Sequence, residues 1–187
     1  MLVISSFDTA VYNFIIQIMS EPVTIVAKTI TNFGGALVLI SICLIALLVL
    51  KNKKYGIAMC INLIVVTLIN LIIKNIVGRE RPTILRLVEE SGYSFPSGHS
   101  MASMAFYGFL IYLIYNSKIK SKKIKITLCT LIGLLILLIG LSRIYLGVHY
   151  ASDVLAGFII SFTYLIIFIN LVYNRYGDKI FKKERRA

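Results

Sequence analysis

Five long runs of uncharged, mostly apolar residues constrain this chain of 187 residues more than any other feature. A helix that crosses the hydrocarbon core of a bilayer needs about 20 apolar residues, so each run can span a membrane with some extension into the interface. A soluble domain holds about 45–50% apolar residues, whereas this chain holds 58%. The sequence therefore predicts an all-α, polytopic membrane helix bundle with about five transmembrane helices. The runs are 34–50, 55–73, 101–115, 126–141 and 154–173.

The N-terminal segment has a different pattern. On one side of it, apolar residues recur at helical spacing: Val11, Phe14, Ile15, Ile18 and Met19. The opposite side is polar, which is typical of an amphipathic helix that lies in the membrane interface. We expect Pro22 to interrupt this helix. A short additional span is the alternative, which the polar side and Glu21 disfavour.

The positive charge of the chain, +12 overall, lies largely in short stretches between the apolar runs. The stretches after the first, third and fifth runs hold 3, 5 and 6 Lys and Arg residues. Cytoplasmic loops carry such an excess, so these stretches, including the C-terminal tail 174–187, are predicted to face the cytoplasm. Segments 77–100 and 142–153 then lie on the outer side. The pattern argues against nucleic acid as a partner, and residues 1–187 are expected to form a single integral-membrane domain.

Both histidines of the chain, His99 and His149, lie in the two outer segments. Lys74, Arg79 and Arg81 lie in or beside the first of these, where the charge rule expects few cations. Snorkelling at a helix end and a solvated loop are the alternatives for single members of this group. Together the three cations indicate an anionic ligand.

Ser97 and Gly98 precede the third apolar run, within the block YSFPSGHS at 93–100. They are ordinary capping and turn residues, but the backbone N–H groups of such a helix start also bind anions. His99 would then lie beside the bound anion, in position to donate a proton.

His149 and Asp153 are four residues apart and would share one face of a helix. An Asp that accepts from one ring nitrogen fixes the tautomer and leaves the other nitrogen free to attack. A His–Asp cap at the membrane interface is the alternative. Arg143 adds a guanidinium that suits phosphate. Because the outer segments hold no carboxylate-rich cluster for magnesium, we expect no metal and no cofactor.

Three motifs follow in order within residues 74–153. Lys74 is separated by six residues from Arg81–Pro82; a Pro-Ser-Gly-His block occupies 96–99; and Ser142–Arg143 is followed at fixed spacing by His149 and Asp153. These motifs resemble the signature of the type 2 phosphatidic acid phosphatases, a family related to vanadium haloperoxidases and bacterial acid phosphatases. Its membrane members usually have six spans, so this chain is expected to keep only the amphipathic segment in place of the first.

The resemblance implies a role for each matched residue. His149 would be the nucleophile that forms a phosphohistidine intermediate, and Asp153 would orient it. His99 would protonate the leaving oxygen and then activate water. The phosphoryl oxygens would be held by Lys74, Arg81, Ser97, Gly98 and Arg143.

The function implied is metal-independent hydrolysis of a lipid phosphate or pyrophosphate at the outer face of a bacterial plasma membrane, with the C-terminus cytoplasmic. The partners expected are the lipid substrate and the bilayer. Among the substrates we favour undecaprenyl pyrophosphate, because a compact enzyme with an outward-facing site suits the recycling of a carrier lipid. The alternatives are a phosphatidylglycerophosphate or phosphatidic acid phosphatase, a lipid-linked phosphotransferase, and a non-catalytic lipid-binding protein.

Overall fold

The computed structural model describes residues 5–180, which form seven α-helices and no strand. Residues 181–187 of the predicted cytoplasmic tail lie outside the described range. Each of the five predicted runs forms a helix, which confirms the all-α membrane bundle. The helices are α1 (Ser6–Gln17), α2 (Glu21–Asn32), α3 (Ala36–Val49), α4 (Lys53–Val77), α5 (Gly98–Tyr115), α6 (Lys122–Tyr145) and α7 (Ala151–Ile180).

Among residues 5–180, three or four helices are long and apolar enough to cross a membrane, against about five predicted spans. By length and composition α4, α6 and the Ala151–Val172 part of α7 qualify, and α2 with α3 adds a fourth if this pair, bent by 43°, counts as one span. The 18-residue α5 is the exception, since its first turn carries His99 and Ser100. This helix packs against α4, α6 and α7, so its polar residues face protein more than lipid.

Helix α1 begins earlier than the apolar pattern predicted. The side chain of Ser5 caps it by accepting a hydrogen bond from the backbone N of Asp8 at 3.1 Å. Ile15 is buried against the end of α6, as the amphipathic pattern requires. Phe14 and Ile18, from the same predicted face, remain exposed. The side of α1 that is buried in the protein includes Asp8 and Ile15. An apolar side exposed on the protein surface is what a helix in the membrane interface needs.

Helix α2 was not predicted. Pro22 does separate it from α1, but it also lies in the first turn of α2, where a proline has no hydrogen-bonded N–H to lose. Ala27 and Thr31 of α2 are buried, and the helix packs along α6. We expected Pro22 to interrupt α1; α1 instead ends before it, at Gln17, and Pro22 lies within the first turn of the next helix.

The bundle is held together by an apolar core around α5 and by a polar contact within it. Phe106, Phe109 and Ile139 are almost fully buried at the centre of the core. The fully buried Asn62 of α4 donates to the backbone oxygen of Ala105 at 2.8 Å. Such bonds between helices satisfy the hydrogen-bonding needs of polar groups, which lipid chains cannot do. Four helix ends meet at one end of the bundle: the C-terminal ends of α4 and α6 and the N-terminal ends of α5 and α7.

Candidate active site

The start of α5 is fixed against the start of α7. The backbone N of Ser97 donates to the backbone oxygen of Asp153 at 3.1 Å. Its buried hydroxyl oxygen accepts from the hydroxyl of Ser100 at 3.0 Å and caps the helix. Because Ser97 belongs to the Pro-Ser-Gly-His block and Asp153 to the third motif, the predicted motifs are brought together.

His149 lies in the turn before α7 rather than on the helix itself, since α7 begins at Ala151. Its Nδ1 is nevertheless 3.5 Å from Oδ2 of Asp153, and both side chains are buried. That carboxylate oxygen also accepts from the backbone N of Tyr150 at 2.9 Å and from the hydroxyl of Ser94. The predicted pairing of His149 and Asp153 is therefore present, but the turn and not helical stacking produces it.

The turn that carries His149 depends on Gly147, which has a φ of +70°. A Cβ at this position would come within 2.3 Å of the backbone oxygen of Leu85. Only glycine combines this backbone conformation with so close an approach. The 83–93 loop can consequently pack directly on the turn that carries His149.

The hydrogen-bond partners of His149 identify its tautomer. Nη1 of Arg81 lies 3.1 Å from Nε2, and a guanidinium has donors only, so Nε2 must accept. The ring proton then belongs on Nδ1, facing Asp153. Burial lowers the pKa of His149 to about 4, although Asp153 opposes the shift. The imidazole is thus neutral near pH 7 and has its lone pair on Nε2.

Three cations, Lys74, Arg81 and Arg143, lie near the start of α5 and are called the cation cluster here. The guanidinium of Arg81 donates to the backbone oxygens of Gly92 at 2.9 Å and Ser91 at 3.0 Å. Lys74 donates to the backbone oxygen of Tyr93. Arg81 and Lys74 therefore hold the 91–93 backbone in place.

Arg143 is almost fully buried and reaches both α2 and the 83–93 loop. Its Nη1 donates to the hydroxyl of Thr31 at 2.8 Å, and its Nη2 contacts Oε1 of Glu90. Burial alone would raise the pKa of Glu90, but the charge of Arg143 holds it below its ordinary value. Glu90 is therefore ionised, and it supplies a negative charge where the sequence predicted a bound anion.

Arg79 does not join the cation cluster, although the sequence grouped it with Arg81. Its Nη1 donates to Oδ1 of Asp153 at 2.7 Å, and its Nη2 donates to Oδ2 of Asp8 at 2.9 Å. The guanidinium lies 4.0 Å from the centre of the Tyr150 ring. The charge of Arg79 is thus neutralised by two carboxylates. Arg79 contacts Oδ1 of Asp153, the oxygen that does not face His149.

His99 lies at the end of an apolar groove of about 460 Å³. The groove is lined by α3, α4 and α5, and includes Gly34, Leu39, Ile64 and Met101. A cavity of this size lies within the range that holds small-molecule ligands. The groove therefore connects the apolar flank of the bundle with the predicted proton donor.

Three polar residues that the structure brings to the site were not predicted from the sequence: Asp8, Ser94 and Glu90. Ser94 lies within the quoted 93–100 block, so its proximity to the motif was the only signal available. Asp8 and Glu90 carried none, because their partners are distant in the chain. Within residues 5–180, no group of three or more His, Cys, Asp or Glu side chains lies together as a metal site would require.

The fold and the site define a class: a helical membrane protein with a buried histidine, its carboxylate partner and a cluster of cations at one end. Comparison with known proteins narrows the class. Residues 54–176 match the model of the PAP2 superfamily. The chain therefore belongs to the PAP2 superfamily and is a membrane-bound lipid phosphatase.

Two curated relatives lie within this family. Phosphatidylglycerophosphatase B of Bacillus subtilis (strain 168) is 31% identical over 158 residues, which cover 83% of this chain and 78% of that protein. An undecaprenyl-diphosphatase of Sulfolobus acidocaldarius is 25% identical over 139 residues, which cover 71% of this chain and 62% of the relative.

Two solved structures are similar. The crystal structure of a transmembrane PAP2-type phosphatidylglycerolphosphate phosphatase from Bacillus subtilis has a TM-score of 0.81 and 29% identity, covering 90% of this chain and 85% of the other. Aquifex aeolicus LpxE has a TM-score of 0.72 at 20% identity, covering 88% of this chain and 96% of the other, and shares the fold.

Proposed function

We propose that this chain hydrolyses a lipid phosphate or pyrophosphate without a metal ion, through a phosphohistidine formed on Nε2 of His149. One observation carries the proposal: Arg81 donates to Nε2 while Asp153 faces Nδ1. A cation that suits phosphate therefore lies against the nitrogen lone pair that would attack the phosphorus atom.

The cation cluster would bind the phosphoryl oxygens. Arg81 and Arg143 offer planar guanidinium groups, and Lys74 adds a third positive charge. The N–H groups at Ser97 and Gly98 would add donors at the start of α5, where the helix dipole favours an anion. These groups can stabilise the charge that develops in the transition state, which is the task a metal performs in other phosphatases.

In the first step, Nε2 of His149 forms a bond to the terminal phosphorus while the bond from that phosphorus to the leaving oxygen breaks. The leaving oxygen is the lipid oxygen of a monophosphate or the bridging oxygen of a pyrophosphate, so the departing group is the lipid alcohol or the lipid monophosphate. The ring becomes a phosphorylated imidazolium, whose charge Asp153 stabilises through the Nδ1 proton. His99 in its protonated form gives its proton to the leaving oxygen. The bound phosphoryl anion beside it favours that protonated form.

In the second step, a water molecule attacks the phosphohistidine. His99 accepts a proton from the water, the bond between phosphorus and Nε2 breaks, and inorganic phosphate leaves. His149 returns to its neutral form, and His99 is again protonated. The cycle balances without any additional reactant.

The groove that ends at His99 supports lateral entry of the lipid. Its lining is apolar along α3, α4 and α5, so it suits an acyl or prenyl chain that remains in the bilayer. The phosphate would then meet the cations at the end of the bundle. We propose that this end faces the outside of a plasma membrane, since the basic stretches at 51–54 and 118–125 lie at the other end, and that residues 1–187 form one domain.

Two substrates are proposed. Undecaprenyl pyrophosphate is supported by the expected outward-facing site and by similarity to an undecaprenyl-diphosphatase. Phosphatidylglycerophosphate is supported by similarity to the Bacillus phosphatidylglycerophosphatase B, which is greater in both identity and coverage. Neither chain type would contact more than general apolar surface in the groove, so the headgroup must distinguish them.

A substrate panel tests this proposal. Purified protein in detergent, with EDTA present, is given undecaprenyl pyrophosphate, phosphatidylglycerophosphate and phosphatidic acid at equal mole fractions, and released phosphate is measured. We expect kcat/KM for one lipid to exceed the others by about tenfold or more, with one inorganic phosphate for each lipid product. A strict need for added magnesium would refute the metal-free reaction. Lipid product without inorganic phosphate would identify a phosphotransferase.

A further inference from the structure

Asp8 is a buried carboxylate on a helix that is otherwise largely exposed. It is 3% exposed, far from the signature region 74–153 in sequence, and no motif includes it. Asp and Glu are almost never buried to this degree unless they are paired. Its partners therefore indicate why α1 packs where it does.

The carboxylate oxygens of Asp8 bond to Ser152 and Arg79, which lie next to Asp153. Oδ1 accepts from the backbone N of Ser152 at 2.8 Å, and Oδ2 accepts from the hydroxyl of the same residue at 2.8 Å. Oδ2 also accepts from Nη2 of Arg79 at 2.9 Å. Two of these three bonds attach α1 to Ser152, the residue immediately before Asp153, and the third attaches it to Arg79.

Arg79 connects Asp8 with Asp153. One terminal nitrogen of its guanidinium bonds to Asp8 and the other bonds to Oδ1 of Asp153 at 2.7 Å. Because the guanidinium is planar and rigid, fixing one nitrogen fixes the direction of the other. Asp8 thus determines where Arg79 holds the first oxygen of Asp153.

The second oxygen of Asp153 faces Nδ1 of His149. A carboxylate can rotate, and its direction toward the ring is fixed by Arg79 at Oδ1 together with Tyr150 and Ser94 at Oδ2. Asp8 also neutralises Arg79, since otherwise the full charge of this buried guanidinium would act on Asp153 alone. The carboxylate would then be less able to stabilise the positive charge on the His149 ring.

We propose that Asp8 is a positioning residue for the phosphatase reaction: through Arg79 it helps to fix the carboxylate of Asp153, which together with Arg81 sets the tautomer of His149. The inference rests on the proposed function, in which neutral His149 attacks through Nε2. In this proposal α1 contributes to catalysis through Asp8. In a purely structural role, Asp8 would only attach α1 to the rest of the bundle.

The test compares Asp8→Asn with Glu21→Gln, which removes a carboxylate of the same N-terminal segment from an exposed position. Asparagine keeps the shape of the side chain but removes its charge and presents at most one acceptor oxygen. We expect kcat for the lipid substrate to fall about 10- to 100-fold with KM changed less than about threefold. Glu21→Gln should retain both constants within about twofold.

A spectroscopic measurement separates positioning from simple loss of packing. The chain has 2 histidines, so ¹⁵N-histidine labelling gives a spectrum that one His99 variant assigns. In the wild type we expect the His149 tautomer with its proton on Nδ1, and in Asp8→Asn a mixture of both tautomers. An unchanged tautomer together with kcat within about twofold of wild type would overturn the proposal.

Ser152→Ala provides a second variant if Asp8→Asn does not fold. It removes the hydroxyl between Asp8 and Arg79 but leaves every charge in place, and we expect kcat to fall about three- to tenfold with the same change of tautomer. No change of tautomer in a folded Ser152→Ala protein would also refute the proposal. Because the spectrum is recorded without substrate, it tests Asp8 even if no lipid phosphate is hydrolysed, whereas an inactive wild type refutes only the proposed function.

Discussion

The two histidines of the site lie in contrasting surroundings. His149 is 3% exposed, with Arg81 at one ring nitrogen and Asp153 at the other. The ring of His99 makes no hydrogen bond to any other residue between 5 and 180, and it borders an apolar groove. A nucleophile needs one tautomer and one direction of attack, so its ring is fixed. A proton donor must follow first a departing lipid oxygen and then a water, so freedom to tilt serves it better.

Removal of the fixed histidine should have the largest effect. In His149→Ala the phosphohistidine cannot form, so we expect kcat for any phosphate ester to fall at least about a thousandfold. Phosphate release at saturating lipid measures this. Labelling of the protein by a ³²P-phosphate ester should also disappear in this variant but persist in His99→Ala. Retention of a tenth of the activity would show that another group attacks.

Removal of His99, the histidine whose ring makes no hydrogen bond within residues 5–180, should have an effect that depends on the leaving group. In His99→Ala we expect kcat/KM to fall about 100-fold for a lipid phosphate, since an alkoxide leaves poorly without a proton. For p-nitrophenyl phosphate the loss should be less than about tenfold, because nitrophenolate leaves unprotonated. Comparison of the two substrates on the same preparation gives the ratio. Equal losses would contradict the assigned role of proton donor.

Narrowing the space around His99 should have a moderate effect. A Cβ at Gly34 would lie 2.6 Å from Ile139 and 3.2 Å from the His99 ring, so Gly34→Ala must displace that ring. We expect kcat/KM for the lipid to fall about tenfold, with folding preserved. Gly133→Ala is the matched control, since a Cβ there meets nothing within 4 Å. Equal activity of the two variants would show that His99 tolerates displacement.

The response of His149 to pH should be the smallest effect. Burial lowers its pKa to about 4, so the ring is neutral at higher pH and becomes protonated only as the pH falls through about 4. An NMR titration of the labelled ring should therefore show little change between about pH 6 and pH 8. A midpoint near the ordinary value of about 6.5 would mean that water reaches the ring. The contrast between the two histidines would then be weaker than the contacts indicate.

Much of the fold and of the site could be predicted because their signals are local. The apolar runs gave the helices α3 to α7, and the spacing of the motifs gave His99, His149 and Asp153 as a group. Helix α2 was not predicted because Thr24, Lys28 and Thr31 interrupt the pattern of its apolar residues. Its helix is stabilised by burial against α6, which no local pattern reveals.

The division of labour between the arginines could not be predicted for the same reason. Arg79 and Arg81 are two residues apart, and nothing in their local sequence distinguishes them. The partners decide: Arg79 lies between Asp8 and Asp153, whereas Arg81 lies against His149 and the 91–92 backbone. These contacts depend on how α1 and the 83–93 loop pack, and this is a property of the folded bundle.

The apolar groove and the cation cluster approach the site from different directions. If the proposed reaction is correct, the two products leave by different routes: the dephosphorylated lipid moves laterally into the bilayer, and phosphate leaves past Glu90, whose side chain is 30% exposed. Each product would then inhibit the enzyme separately, by occupying its own route. Accumulated lipid product would compete with new lipid for the groove, while phosphate in the surrounding solution would compete only for the arginines.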